Sequence, residues 1–78
     1  MPTLGEEQIN QKIAAYLKRN YGEELMECEI LQDELNEEGD GRLVTKCEVR
    51  VGASRSLWQK TFTFRGGDIV DMSWRRLG

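Results

Sequence analysis

Residues 61 to 74 read TFTFRGGDIVDMSW, and the Arg65-Gly66-Gly67 within them admits three chemistries. It could be an RNA-binding tripeptide, a backbone cradle for an anion, or a turn between two strands. The other residues able to do chemistry are few. Cys28 and Cys47 are too few for a disulfide-rich scaffold. They are expected as reduced core thiols, with a cross-strand disulfide as the alternative. Two thiolates in a chain without histidine cannot complete a tetrahedral metal shell. Asp33, Glu34, Glu37, Glu38 and Asp40 crowd one stretch, but calcium-loop spacing fails there. Counted from Glu34, Gly39 falls at the sixth position, yet the first is not aspartate and the twelfth is Thr45. A solvated acidic loop is expected instead, with no metal.

The lack of histidine excludes Ser-His-Asp triads, Cys-His dyads and histidine-ligated metals. A catalyst would have to use carboxylates, a lysine, a tyrosine or a cysteine, and no motif joins them. The chain is therefore read as non-enzymatic and without a cofactor. Its 78 residues make a single domain, 1–78, with one modest core. No apolar run approaches the ~18 residues of a membrane span. The N-terminus, MPTLGEEQINQK, has no basic segment leading into an apolar one, so a secretory signal is not expected and the cytoplasm is.

A helix is predicted over 3–21. Thr3 and Glu6 have capping-box spacing, and Ile9, Ile13, Tyr16 and Leu17 form one apolar stripe. Glu6 and Glu7 at its start and Lys18 and Arg19 at its end suit the helix dipole, and Gly22 supplies the stop. The period then becomes two. Strands are predicted over about 24–31, with Met26, Cys28 and Ile30 inward, and about 42–51, with Leu43, Thr45, Cys47, Val49 and Val51 inward. Two more follow over about 56–65, with Trp58, Phe62 and Phe64 inward, and about 68–76, with Val70, Met72 and Trp74 inward. Consecutive strands with short turns make an antiparallel meander, apolar on one face, and the helix is its only cover. The expected fold is α+β, an N-terminal helix packed on one face of a four-stranded antiparallel sheet, α-β-β-β-β. This layout resembles the cystatin-like and NTF2-like ones at the level of fold, without a family motif and without an implied function.

Pairing parity addresses the arginine and its glycines. In a regular ladder, a two-residue Gly66-Gly67 turn would bring Asp71 opposite Phe62 and into the core. A three-residue loop, Arg65-Gly66-Gly67, instead pairs Phe62 with Val70, sets Trp58 near Trp74 and gives Gly67 the left-handed position. The tripeptide is thus read as a turn.

What remains is a division of charge. Residues 1–41 hold three basic and eleven acidic side chains, net −8, and residues 42–78 hold eight and three, net +5. Glu27 and Glu29 are expected beside Lys46, Glu48 and Arg50 on the open sheet face, in cross-strand ion pairs. Arg65, Arg75 and Arg76 are left as a basic margin on the last two strands. Leu31, Val44, Leu57 and Ile69 lie at the periphery of the polar face. The expected function is a small interaction module that binds a protein partner or itself, as in a homodimer, through the open sheet face or a strand edge. Its expected contact residues are Lys46, Arg50, Arg65, Arg75, Arg76, Val44 and Leu57. The alternative is binding of nucleic-acid phosphates by the basic margin. Against it stand the negative net charge and an open face without aromatic residues for base stacking. A ligand-binding cone would need a pocket of ~300 Å³ or more, and Trp58, Phe62, Phe64, Trp74 and Tyr16 are expected to fill that space.

Overall fold

The computed structural model describes residues 5–78. Helix α1 spans Glu6–Tyr21 and is followed by β1 (Glu24–Asp33), β2 (Gly41–Val51), β3 (Ser54–Arg65) and β4 (Asp68–Arg76). The strands form one antiparallel sheet in the order β1-β2-β3-β4, with α1 across its concave face. This is the expected α-β-β-β-β layout. The capping residue Thr3 lies outside the described residues. At the described helix start, Gly5 N–H donates to Gln8 Oε1 at 3.1 Å.

Ile9, Ile13 and Leu17 are buried against the sheet, and Tyr16 meets the Phe62 ring edge-on at 6.3 Å. Inside the sheet the matching row is Leu43, Cys47, Val49, Phe62, Phe64 and Met72, all buried. At the other end of α1, Gly22 N–H donates to Lys18 O and Glu23 N–H to Leu17 O, at 3.1 and 3.2 Å. That closure, with Gly22 in the left-handed conformation, turns the chain sharply. It also fixes where Glu23 emerges, immediately over the concave face.

Three β-bulges correct the predicted facing of individual residues. In β1 the register slips between Leu25 and Glu27, so Leu25 packs on the core while Met26 is exposed. A second slip, between Ile30 and Gln32, leaves Leu31 exposed. In β4, Phe64 pairs with Ile69 but Thr63 pairs with Asp71, so Val70 is the extra residue and is exposed. Ile69, expected on the polar face, packs against the core. Each bulge adds one residue to one strand, which reverses the in-out sense beyond it.

The β4 bulge also overturns the expected three-residue turn. Arg65 pairs with Asp68, so the connection is the two residues Gly66 and Gly67, at φ 59° and 85°. Positive φ at both positions is the type I′ hairpin turn that glycine permits. Parity argued against this turn only for an unbroken ladder. The extra residue at Val70 restores Phe62 opposite Met72 and keeps Asp71 out of the core, opposite Thr63. Trp58 consequently faces Arg76, and Trp74 faces Lys60.

The loop before β2 is more ordered than a solvated acidic loop. Asn36 Oδ1 accepts from the N–H groups of Glu38 and Asp40, at 3.0 and 2.9 Å. Its tip meets the β3–β4 turn: Gly67 N–H donates to Gly39 O at 3.1 Å, and Gly66 N–H to Asp40 Oδ1 at 2.6 Å. The turn thus gives one backbone amide, that of Gly66, to the chain's own Asp40 carboxylate.

Candidate interaction site

Alternation alone places Trp58, Lys60, Phe62 and Phe64 on one face of β3, and a lysine in that row must be accommodated. Lys60 is 3% exposed, and its Nζ lies 2.9 Å from Glu23 Oε1. The ammonium also lies 5.2 Å from the Trp58 ring centroid and 5.7 Å from that of Tyr21. A buried cation is tolerated when it is paired and when ring faces replace part of its hydration. Between the two tryptophans stands the Lys60 side chain, flanked by Trp58 on its own strand and by Trp74 on β4.

Trp74 was expected in the core but is 55% exposed. It meets Tyr21 edge-to-face at 6.0 Å, and Tyr21 is itself 43% exposed. Farther along the concave face, the Arg76 guanidinium lies 5.5 Å from the Trp58 centroid. These side chains line the end of the sheet beside β4, whose outer edge pairs with no other strand among the described residues. Arg75 points to the opposite face from Arg76 and donates to Gln59 Oε1 at 3.3 Å. A basic side chain thus stands on each face of the β4 edge, with an exposed aromatic pair between them and the helix end.

The structure divides the contact residues expected from sequence. Arg50 pairs with Glu24 at 2.8 Å, the cross-strand ion pair anticipated for the first hairpin, although its partner is not Glu27 or Glu29. Lys46 stands opposite Glu29 and shares a shallow hollow of about 210 Å³ with Glu27, Glu48 and Leu57. Val44 and Leu57 are half-buried on the outer face. Arg65 lies at the turn opposite Asp68, whereas Arg75 lies opposite Gln59. Six residues of β3 separate those positions, roughly 20 Å at strand spacing. Arg65, Arg75 and Arg76 therefore do not form one cluster. Among the described residues none of the three is ion-paired with an Asp or Glu side chain, and Arg76 Nε donates to Gly78 O at 3.4 Å.

The other sheet edge is built differently. β1 carries two bulges and the exposed acids Glu24, Glu27, Glu29 and Asp33. Bulges and charge on an edge strand discourage pairing with another chain. β4 has its single bulge near the turn and a regular ladder from Asp71 to Arg76. Sequence reading missed Lys60, Glu23 and Tyr21 as neighbours of Trp74. The signal for Lys60 was its even-numbered place in the Trp58–Phe64 row. For Glu23 it was its place directly after the helix-ending glycine.

Among the described residues no helix is long and apolar enough to cross a membrane. Compared with protein-family models, curated proteins and solved structures, the chain matches none.

Proposed function

We propose that the protein is a non-enzymatic interaction module that takes an extended acidic segment of a partner protein along the open edge of β4. The observation that carries this reading is the exposed Tyr21–Trp74 pair on an unpaired edge strand. Main-chain hydrogen bonds along such an edge supply affinity, and side-chain contacts on alternate residues supply specificity. Tryptophan, tyrosine and arginine are the residues that dominate binding energy in protein interfaces. An added strand carrying acids on both faces would meet Arg75 on one side and Arg76 on the other, as favourable cross-strand pairs.

One observation favours a second reading. Exposed Trp74 and Tyr21 are rings on which bases can stack, and Arg75 and Arg76 stand beside them. Binding of single-stranded nucleic acid would use the same edge. The net charge of −3 and the acidic β1 edge weigh against it.

Capture of partners from lysate with and without nuclease, followed by affinity measurement on the purified pair, separates the readings. A protein partner that survives nuclease is expected. Trp74→Ala should weaken its binding by about 30-fold, the effect of losing a central anchor worth ~2 kcal/mol. Because Trp74 is more than half exposed, the variant should lose little stability. Loss of every partner with nuclease, and a steep fall in affinity with salt, would move the assignment to nucleic acid. Binding indifferent to Trp74 but abolished by Val44→Glu or Leu57→Glu would move it to the open sheet face.

A further inference from the structure

Cys28 and Cys47 are direct cross-strand partners on β1 and β2, and their thiols face each other at 3.6 Å, unbridged. Cys47 is fully buried, with the Thr45 hydroxyl 3.2 Å from its sulfur. Cys28 is half-buried and forms part of the wall of an open groove of about 610 Å³ between α1 and β1. The groove has an apolar floor at Ala14, Leu25 and Met26, and acids at Glu6, Glu7 and Glu27. Cys28 is thus the more accessible residue of the pair, at the groove, and Cys47 is closed off from solvent.

We propose that Cys28 and Cys47 are a thiol–disulfide exchange site for small cationic disulfides, in which Cys28 takes up the incoming disulfide and Cys47 resolves it. The Cys28 thiolate attacks one sulfur of the small disulfide, forming a mixed disulfide and releasing the first small thiolate. Cys47, as thiolate, then attacks Cys28 Sγ, closing the Cys28–Cys47 bond and releasing the second. The two protein thiols are oxidised, the small disulfide is reduced to two thiols, and those thiols carry away both protons.

The surroundings of the pair favour these steps. The Cys47 thiol is held down to about 7, chiefly by its hydrogen bond with the Cys28 thiol and, against the opposing effect of burial, by the Thr45 hydroxyl and the Lys60 charge, whereas the same hydrogen bond and burial push the Cys28 thiol up. The first proton therefore leaves the pair early. That charge rests on Cys47, so attack by Cys28 follows transfer of the Cys28 proton to Cys47 across the 3.6 Å sulfur–sulfur contact. Once Cys28 is in the mixed disulfide its hydrogen bond to Cys47 is lost, and the Cys47 thiolate needed for resolution is then favoured by Thr45 and Lys60 and opposed by burial. The bond that forms joins strands already in register, so closure needs only a contraction from 3.6 Å to a bonding distance of about 2 Å. The acids around the groove select the charge of the incoming molecule. Cystamine is a cation and suits them; oxidised glutathione is an anion and does not.

The test is anaerobic incubation of the reduced protein with cystamine, read by intact mass. Wild type should lose the mass of two hydrogens, keep no adduct and remain free of intermolecular disulfide. Cys47→Ser should retain one cysteamine at Cys28. Cys28→Ser should react at least roughly tenfold more slowly, because its remaining thiol is buried. Oxidised glutathione should react more slowly than cystamine with wild type. A wild-type protein that retains its adduct or forms dimers would overturn the exchange site, and that result does not depend on either variant folding. A Cys28→Ser variant as reactive as Cys47→Ser, with native circular dichroism in both, would overturn access through the groove. So would glutathione outpacing cystamine.

Discussion

Glu23→Ala lowers the stability of the fold by about 3–5 kcal/mol, the cost of leaving a buried charge without its partner. The total available to a domain of 78 residues is about 4–12 kcal/mol, so this one change removes a large share of it. The ammonium of Lys60 cannot swing to water, because its side chain is 3% exposed and enclosed by Trp58 and Tyr21. Glu23 is 14% exposed and follows directly on the helix cap, so it reaches solvent more readily. Lys60→Met should therefore cost less than Glu23→Ala, although both break the same pair. The double variant Glu23→Leu with Lys60→Met should recover most of the loss and can exceed the wild type, since a well-packed apolar pair avoids desolvating two charges. Urea unfolding with linear extrapolation measures all three. Equal costs for the two single changes, each below about 1 kcal/mol, would mean that the pair behaves as a surface ion pair and that water reaches Lys60.

The sequence made much of this fold legible, and its limits have physical causes. The helix stripe of Ile9, Ile13 and Leu17 and the alternation in all four strands come from periods of 3.6 and 2, which the chain keeps with few breaks. Bulges leave no such trace. Leu25 and Met26 in β1, and Ile69 and Val70 in β4, are adjacent apolar pairs, and either member satisfies the local pattern. Which of them turns inward is decided by the partner strand. The turn at Gly66-Gly67 was misjudged because of the bulge at Val70, three residues beyond it.

The exposure of Trp74 has a different cause. Alternation puts it on the inward face, which is correct, but inward is not the same as covered. The sixteen residues of α1 span about 24 Å, whereas the twelve of β3 reach about 40 Å. The inward row beyond the helix end, at Trp58, Trp74 and Arg76, is left to Tyr21 and Glu23. The predicted lengths hid most of this gap, because the nineteen residues predicted for the helix reach about 28 Å and the ten predicted for β3 about 33 Å, whereas the observed helix is shorter and β3 longer. Charge reading failed for another reason. It registers that Arg65, Arg75 and Arg76 are basic, but the face each occupies depends on residue parity. Arg75 and Arg76 are neighbours in sequence, so they must point to opposite sides of the sheet.

Gly39→Ala should be among the most damaging single substitutions in the chain, at about 3–5 kcal/mol, because it forces two loop tips apart. Gly39 has φ 81°, where an L side chain costs about 1–2 kcal/mol. Its added Cβ would stand 2.5 Å from Gly67 N and 2.8 Å from Gly67 Cα. Both obstacles are backbone, held in place by the Gly67 N–H bond to Gly39 O and the Gly66 N–H bond to Asp40. Relief of the clash sacrifices those bonds, and the one to the carboxylate is of the stronger, charge-assisted kind. Gly66→Ala is the control. Gly66 has φ 59° but no atom within 4 Å of its added Cβ, so it carries the conformational cost alone, about 1–2 kcal/mol. Asp40→Ala should fall between them, at about 1.5–3 kcal/mol, by removing the anion from the turn while leaving both glycines. Urea midpoints give the order, and hydrogen exchange at Gly66 and Gly67 shows whether the turn opens locally. Faster exchange at these two amides in Asp40→Ala, with the rest of the sheet still protected, is the expected signature of a turn that an internal carboxylate holds closed. If Gly39→Ala cost no more than Gly66→Ala, the loop and the turn would not be in contact, and the glycines of residues 66 and 67 would serve the hairpin alone.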